Sequence, residues 1–301
     1  MSTNLRHAGF RAMGTYCEIQ LYGASRISAK RLVRRLIDEV SRLESKYTRY
    51  RDGSFLSEIN RSAGNQAGIK IDIETLKLFE HARSCYEQSD GLFDITAGVL
   101  RRVWDFSRRQ IPDESELEGL LPLIGYEKLN WRDDTLFMPA NMEIDFGGIV
   151  KEYAADTLAT MARELGVRRG LINLGGDFAA IGTQPENRPW PIGITHPEDS
   201  AQIMSHFHLS EGGLASSGDY ERSFIFEGKR YSHLLNPKTG WTCSGLRAVS
   251  VAANLCTVAG SFATIAMLKP EQNAIDWLTD SGLPFVFMDG DGQIGGPGLA
   301  D

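Results

Sequence analysis

The middle of the chain combines a short apolar segment, two adjacent glycines and a helical pattern. Met142–Gly148 reads MEIDFGG, and apolar residues recur at helical spacing through Ile149–Leu165. This order predicts a strand, a glycine turn and a helix whose N-terminal N–H groups face the turn. The helix dipole and the positive charge of Lys151 in the first turn would favour an anion, and a phosphate suits that charge. The alternative is that the glycines only form the turn.

A histidine supplies the second candidate for chemistry. His233 lies in RYSHLLNPKTGW, between the end of a predicted hairpin strand and a Pro-Lys-Thr-Gly turn. An imidazole at the edge of a loop is available for binding or proton transfer near neutral pH. The alternative is a histidine that caps the turn by a hydrogen bond.

Composition excludes several classes of protein. The 39 acidic residues outnumber the 32 basic ones, and no basic block stands out, so the sequence does not support nucleic-acid binding. The four cysteines contain no CxxC pair, which favours buried thiols in a reducing compartment over disulfides or a zinc site. The six histidines lack an HExxH arrangement, which argues against a zinc enzyme.

The N-terminus bears on location. Its first residues, MSTNLRHAGFRAMGTYCEIQ, contain no apolar stretch of the kind found in secretory signals. No segment approaches the roughly 18 apolar residues that a membrane span requires. The sequence as written therefore predicts a cytoplasmic protein with no integral membrane segment, or a periplasmic one if a leader has been removed.

Three common site motifs are absent from the sequence. The glycine-rich run at 175–182, GGDFAAIG, does not fit GxGxxG and is not followed by a second βαβ unit, which disfavours a Rossmann domain. The chain has no GxxxxGK[ST] and no GxSxG, so the P-loop and serine hydrolase interpretations fail.

Helices and strands alternate irregularly along the chain. Strands are predicted at Thr15–Tyr22, Gly170–Leu174, Phe178–Ile181, Pro189–Ile194, Leu246–Ala252 and Pro284–Met288, with a hairpin at 222–235. Long helices are predicted at Ser28–Tyr47, Asp72–Ser89, Ile149–Leu165, Thr257–Leu268 and Gln272–Ser281, with a shorter one at Pro112–Leu121. The hairpin and this irregular order favour an α+β fold. No linker or repeat divides residues 1–301, so one domain is expected.

Several motifs, taken in order, resemble the FAD:protein FMN transferase (ApbE) family. The matching segments are MGT, TRYRDGSFLSEIN, DGLFDITAG, IDFGGIVKEYAAD, INLGGD, PWPIGITHP, SSGDYER and SHLLNPKTG, followed by the helix at 258–267. Together they span nearly the full length. The resemblance implies a single compact mixed α/β unit of the ApbE (T-fold-like) architecture.

The resemblance also implies an activity, namely protein flavinylation. Family members bind FAD and a divalent cation and transfer the FMN half of FAD onto a threonine hydroxyl of an acceptor protein, releasing AMP. Mg²⁺ suits such a site because it accepts oxygen ligands from protein, phosphate and water. Two alternatives stay open: a non-catalytic FAD-binding protein, and an FAD pyrophosphatase that gives FMN and AMP.

The same resemblance assigns residues to roles. Met13 would lie against the flavin, Tyr50 would contact the dinucleotide, and Asp94 and Thr96 would hold the adenosine part. The phosphates and the reacting end would be lined by Gly147, Gly148, Lys151, Asp156, Ser217, Gly218, Arg222 and His233. Catalytic roles are implied for His233, Arg222 and Lys151, and metal binding for Gly148, through its carbonyl, and Thr264.

The sequence departs from the family pattern at three positions. The usual metal-binding helix carries an Asp four residues before the Thr, where this chain has Gly260. Glu152 stands where glycine is common, and Asn236 stands where Asp is frequent. The prediction is that altered ligands hold the cation and that FMN transfer is kept, while restoring the carboxylate by Gly260→Asp would raise turnover if its loss limits activity. The replacement ligands would come from Ser261, Asn236, Asp177 or Asp145.

Overall fold

A computed structural model describes residues 5–23, 26–199, 201–220 and 222–298 of the chain. Its α-helices are α1 (Arg26–Tyr47), α2 (Phe55–Arg61), α3 (Ile73–Gln88), α4 (Glu114–Leu120), α5 (Val150–Glu164), α6 (Cys256–Leu268) and α7 (Glu271–Asp280). Short 3₁₀ helices span Ile95–Arg102, Leu121–Leu123, Tyr126–Lys128 and Pro185–Asn187. Within the described ranges, no helix is both long and apolar enough to cross a lipid bilayer.

The strands complete a mixed α/β architecture. They are β1 (Leu5–Ala12), β2 (Thr15–Tyr22), β3 (Ile69–Lys70), β4 (Asn130–Arg132), β5 (Thr135–Phe137), β6 (Gly170–Leu174), β7 (Asp177–Gly182), β8 (Trp190–Thr195), β9 (Ile203–Leu209), β10 (Gly213–Gly218), β11 (Ser223–Phe226), β12 (Lys229–Ser232), β13 (Ala248–Ala253), β14 (Phe285–Met288) and β15 (Ile294–Gly295).

One antiparallel sheet organises these strands. Its order among the described residues is β1-β2-β6-β7-β10-β13-β14-β15, and every neighbouring pair is antiparallel. Smaller sheets are formed by β3-β5-β4 and by the hairpins β8–β9 and β11–β12. The α+β expectation is confirmed, because strands joined by hairpins and longer crossovers make an antiparallel sheet rather than a doubly wound parallel one.

Both faces of the sheet are covered. Helices α5 and α6 pack on one face against β6, β7, β10 and β13, and α1 and α7 flank them. The hairpin β8–β9 covers the other face, where Trp190, Ile192 and Phe207 join Leu214 and Val286 in a buried cluster. Two-sided burial explains why the central strands read as apolar runs rather than as alternating patterns.

The segment before α5 differs from its predicted form. Met142–Phe146 was predicted as a strand, and this prediction is wrong, since the segment joins no sheet. Its backbone groups find other partners: the Ile144 N–H donates to Asn60 Oδ1 at 2.7 Å, and the Asp145 N–H donates to the Ile95 carbonyl at 2.8 Å. Because a side chain and a 3₁₀ helix satisfy these groups, no neighbouring strand is needed.

Asp156 joins α5 to α6. The N-cap residue of α6, Leu255, offers no side-chain hydrogen bond. The Asp156 carboxylate takes over this role by accepting the Cys256 N–H at 2.9 Å and both the N–H and the hydroxyl of Thr257, at 2.8 and 2.7 Å. A residue of one helix therefore satisfies the exposed N–H groups at the start of the next, and its negative charge complements the helix dipole.

Replacing Asp156 by Ala should lower the free energy of unfolding by about 2 kcal/mol, because helix N–H groups lose their acceptor. The exposed Asp276 on α7 provides the control, and Asp276→Ala should change stability by less than about 0.5 kcal/mol. Urea denaturation without FAD measures both variants. Equal stability of the two variants would show that Asp156 has no structural role.

Candidate functional site

The turn between β1 and β2 forms one edge of the site. Met13 and Gly14 have φ values of 51° and 74°, as a two-residue type I′ hairpin turn requires. The Met13 N–H donates to Glu44 Oε1 at 2.9 Å, which fixes the turn against α1. The Arg222 guanidinium lies 4.0 Å from the position that a Cβ on Gly14 would occupy. The predicted flavin contact Met13 and the predicted catalytic Arg222 are therefore neighbours.

The hairpin β11–β12 places Arg222 and His233 side by side. Arg222 precedes β11, His233 follows β12, and the His233 N–H donates to the Arg222 carbonyl at 3.0 Å. The Nδ1 atom of His233 is buried and has no hydrogen-bond partner among the described residues. Burial, followed by the positive charges of Arg101, Arg222 and Lys151, lowers the pKa of His233 to about 4. Its imidazole is thus neutral at pH 7.

Asp145 holds the glycine turn and two arginines. Its Oδ1 accepts the Gly147 N–H at 2.8 Å, while its Oδ2 lies 3.0 Å from Arg49 Nη1 and 3.2 Å from Arg101 Nε. Gly148 follows, and a Cβ there would lie 3.4 Å from the Phe93 ring. The charge of Arg101 also acts on His233, so the glycine turn and the histidine face a common set of cations.

Arg49 and Arg101 were not predicted from the sequence. Arg49 is adjacent to the predicted Tyr50, and Arg101 belongs to the Arg-Arg pair that ends the 3₁₀ helix after DGLFDITAG. Neither arginine has a local pattern that marks it, because both reach the site by pairing with a carboxylate about 50 or 100 residues away along the chain. The sequence offers one indication of these arginines. The acid of IDFGG lies next to a predicted phosphate site, and an acid in that place requires cationic partners.

Lys151 balances a buried carboxylate. Its Nζ forms an ion pair with Asp177 Oδ2, and Asp177 is 1% exposed. The Ser216 N–H donates to Asp177 Oδ1 at 3.2 Å. A buried carboxylate is tolerated when it is paired and hydrogen-bonded, and these contacts meet both conditions. They also bring the end of β10, with Ser217 and Gly218, next to the first turn of α5.

Glu152 follows Lys151 in the first turn of α5 and, like Asp177, is buried. It is 7% exposed, and its Oε2 atom has no hydrogen-bond partner among the described residues. Burial and the negative charge of Asp177 raise the pKa of Glu152 well above the usual range. Its side chain packs on Gly260 of α6, where a Cβ would lie 2.6 Å from Glu152 Cγ and 3.1 Å from Oε1.

This contact adds a packing consequence to the prediction for Gly260→Asp. The sequence alone predicts a higher turnover only if the missing carboxylate limits activity. Because a side chain at Gly260 would collide with the buried stem of Glu152, the single substitution should disturb the packing of α5 on α6.

The predicted residues fall into two groups in space. The structure brings together, around Arg49, Arg101 and Asp177, the following: Met13, Gly147, Gly148, Lys151, Ser217, Gly218, Arg222 and His233. Tyr50 lies beside this group through its neighbour Arg49, and it is 77% exposed. The cluster lies at the ends of several strands and at the start of α5, where loops and helix termini present polar groups.

The other predicted contacts are engaged in structural hydrogen bonds. Asp94 accepts the N–H and hydroxyl of Thr96 and the N–H of Tyr126, and Thr96, fully buried, accepts the Gly125 N–H at 2.8 Å. Asp156 caps α6 and lines a cavity of about 550 Å³ between α1, α3, α5 and α6. Neither Lys151 nor His233 lines that cavity. The roles proposed for these three residues in binding the nucleotide stay predictions.

The proposed replacement ligands for a cation are unequally available. Ser261 bonds to the Thr257 carbonyl and to His81, Asn236 accepts the Lys238 N–H, and Asp145 holds two arginines. Within the described part of the chain, no three His, Cys, Asp or Glu side chains are grouped as a metal site. A cation would therefore depend on at most two acidic side chains, together with hydroxyl and carbonyl oxygens such as those of Thr264 and Gly148.

The sequence matches a known protein family over most of its length. The ApbE family model matches residues 13–287, so this chain belongs to the ApbE family. The chain is 26% identical over 261 residues to the FAD:protein FMN transferase of Vibrio cholerae, covering 84% of this chain and 77% of that protein. It is 28% identical over 235 residues to that of Klebsiella pneumoniae, covering 76% and 71%.

Solved structures agree with the fold. The ApbE protein of Thermotoga maritima superposes with a TM-score of 0.89 at 26% identity, covering 97% of each chain. The flavinyl transferase ApbE of Pseudomonas stutzeri shares the fold, with a TM-score of 0.85 at 24% identity over 97% of this chain and 93% of that one. The family resemblance and the mixed α/β architecture expected from the sequence are confirmed.

The lowered pKa of His233 predicts a pH-dependent stability. Between pH 6.5 and about 4 the unfolded chain carries a proton on this histidine that the folded protein does not, so stability falls as the pH falls through that window. From pH 7 to pH 5 this contribution is at most about 2 kcal/mol. Urea unfolding of His233→Gln should therefore show a correspondingly weaker loss of stability than the wild-type protein.

The exposed His208 on β9 offers a matched control. His208→Gln should keep the pH dependence of the wild-type protein. If His233→Gln also kept the pH dependence of the wild-type protein, the conclusion that His233 is buried and neutral would be wrong.

Proposed function

We propose that this protein moves the FMN half of FAD onto a threonine hydroxyl of an acceptor protein and releases AMP. The observation that carries the proposal is the neutral His233, placed among Arg101, Arg222 and Lys151 at the start of α5. Membership of the ApbE family and relatives named FAD:protein FMN transferase support it.

The cations suit the diphosphate of FAD. That group carries two negative charges. Arg49 and Arg101 pair with Asp145 at the glycine turn, Lys151 lies in the first turn of α5, and Arg222 adds positive charge beside His233. The N-terminus of α5 adds the positive end of a helix dipole. Such fixed charges stabilise the extra negative charge that develops on phosphate oxygens during phosphoryl transfer. Met13, beside Arg222, would lie against the flavin end of the substrate.

The reaction exchanges one phosphorus–oxygen bond for another. The threonine oxygen bonds to the FMN phosphorus, the bond from that phosphorus to the bridging oxygen breaks, and AMP departs with the bridging oxygen. The threonine proton must be accepted, and His233 is available for it because its imidazole is neutral and Nδ1 has no partner among the described residues. A bound diphosphate would offset the charges of Arg101 and Arg222, so the histidine would become a stronger base on binding substrate.

A divalent cation, for which Mg²⁺ is suited, would be held by the Gly148 carbonyl and the Thr264 hydroxyl with at least one carboxylate. When bound, it supplies positive charge to the nonbridging phosphate oxygens. The residues of the chain perform the remaining tasks: Lys151 and Arg222 neutralise charge, Asp145 orients the glycine turn, and His233 accepts a proton.

Two further expectations accompany the activity. We expect residues 1–301 to act as one domain, because the ApbE family match extends over residues 13–287. Placement in the cytoplasm, or in the periplasm if a leader has been removed, stays a prediction.

The direct test supplies purified protein with FAD, Mg²⁺ and an acceptor protein that carries a target threonine. AMP release together with an FMN-sized mass gain on the acceptor is the expected result, and a chelator should abolish both. Free FMN without an acceptor would instead identify a pyrophosphatase. Bound FAD with no product, over several cations and acceptors, would identify an FAD-binding protein without transferase activity, the case that Gly260 suggests.

Replacement of Arg222 tests the cationic cluster. Arg222→Gln should lower kcat/KM for FAD by about 100-fold, because one donor to a developing phosphate charge is lost. Arg230, on β12 of the same hairpin, pairs with Asp219 and has no role in the proposal, so Arg230→Gln should leave kcat/KM near the wild-type value. A similar decrease in the two variants would point to a general effect of charge on the hairpin.

A further inference from the structure

The first turn of α5 carries a buried carboxylate, that of Glu152, close to the buried carboxylate of Asp177. Glu152 is 7% exposed, and its Oε2 atom lacks a hydrogen-bond partner among the described residues. An unpartnered oxygen on a buried carboxylate is costly, and a bound ion or water is one way in which proteins satisfy such an atom. Asp177, itself buried, is close enough for its negative charge to act on Glu152.

Helix α6 defines where this carboxylate points. A Cβ on Gly260 would lie 3.0 Å from Glu152 Cδ and 3.1 Å from Oε1, so the carboxylate occupies the space that a side chain at Gly260 would fill. Gly260 and Thr264 are four residues apart in α6 and therefore face the same way. The carboxylate of Glu152 thus reaches the face of α6 that carries the Thr264 hydroxyl.

The charges in this region are divided. Arg49 and Arg101 pair with Asp145 at the glycine turn, whereas the buried carboxylates of Glu152 and Asp177 lie close enough to act on each other. Lys151 already compensates Asp177. The charge of Lys151 acts on both Asp177 and Glu152, and a divalent ion would add further positive charge and supply the missing contact to Oε2.

We propose that Glu152 is a ligand of the divalent cation, which it binds from α5 together with Thr264 of α6. The inference rests on the proposed function for the role of the cation, and on the packing of Glu152 against Gly260 for its position. Two departures from the family pattern are then related. Because Gly260 has no side chain, α6 leaves space between the helices, and the side chain of Glu152 fills that space. Asp177 stands next to the ion and helps to set its charge balance.

Direct measurement of cation binding tests the inference without relying on turnover. Mn²⁺ is titrated into the full-length protein with FAD present and no acceptor, and the free ion is followed by electron paramagnetic resonance. Glu152→Gln keeps the shape of the side chain and should weaken Mn²⁺ binding by roughly 10- to 100-fold. Glu164→Gln, exposed at the far end of α5, is the matched control and should bind Mn²⁺ as the wild type does. Equal affinity in Glu152→Gln and the wild type would overturn the proposal.

An exchange of side chains between the two helices provides a second test. Glu152→Gly should lose Mn²⁺ binding, and Gly260→Asp alone should lower the Tm because of the collision with Glu152. The double variant Glu152→Gly with Gly260→Asp removes the collision and returns a carboxylate from α6, so it should regain both Mn²⁺ binding and Tm. A double variant that binds Mn²⁺ no better than Glu152→Gly would contradict the exchange.

The outcomes separate this inference from the proposed function. Mn²⁺ binding that depends on Glu152, in a protein that transfers no FMN, would reject the proposed function alone. FMN transfer that proceeds with wild-type Mn²⁺ affinity in Glu152→Gln would reject the inference alone.

Discussion

The ion pair between Lys151 and the buried Asp177 is the interaction on which the site depends. Moving a carboxylate out of water costs several kcal/mol unless a partner and hydrogen bonds offset it. Here the offset comes from α5 through Lys151 and from β10 through the Ser216 N–H, while Asp177 itself begins β7. The requirement to pair one charge therefore fixes a helix N-terminus against two strands of the central sheet, and the glycine turn of the site precedes that helix.

Close packing of α5 on α6 adds a second constraint. Gly260 permits the side chain of Glu152 to lie between the helices, and Asp156 closes the same interface one turn further along α5 by capping α6. The result is a cationic side, suited to a diphosphate, that adjoins an acidic side, suited to a metal ion. FAD with a divalent cation on its diphosphate would complement both groups of charges. The packing of α5 on α6 therefore supports the proposed flavin transfer, because it places these charges next to each other.

Sequence patterns predicted what depends on local periodicity. The amphipathic helices and the hairpin β11–β12 were found because their signals lie within one segment. Strand β1 was missed because LRHAGFRA shows no clear alternation of apolar and polar residues. Strand β9 was missed because its alternation, in which exposed His206 and His208 flank buried Phe207, is interrupted at Met204 and Ser205. The strand predicted at Met142–Phe146 was wrong because long-range hydrogen bonds replace a sheet partner. The roles of Arg49 and Arg101, and the contact of Glu152 with Gly260, depend on residues distant in sequence, so no local pattern revealed them.

In the proposed cation site, Glu152 of α5 replaces a carboxylate that α6 lacks at Gly260. A crystal structure with Mn²⁺ and FAD, with anomalous diffraction data to locate the metal, tests it most directly. We expect one anomalous peak about 2.1 Å from a carboxylate oxygen of Glu152, close to the Thr264 hydroxyl and the diphosphate. A manganese ion bound to the diphosphate with Glu152 turned away from it would contradict the account.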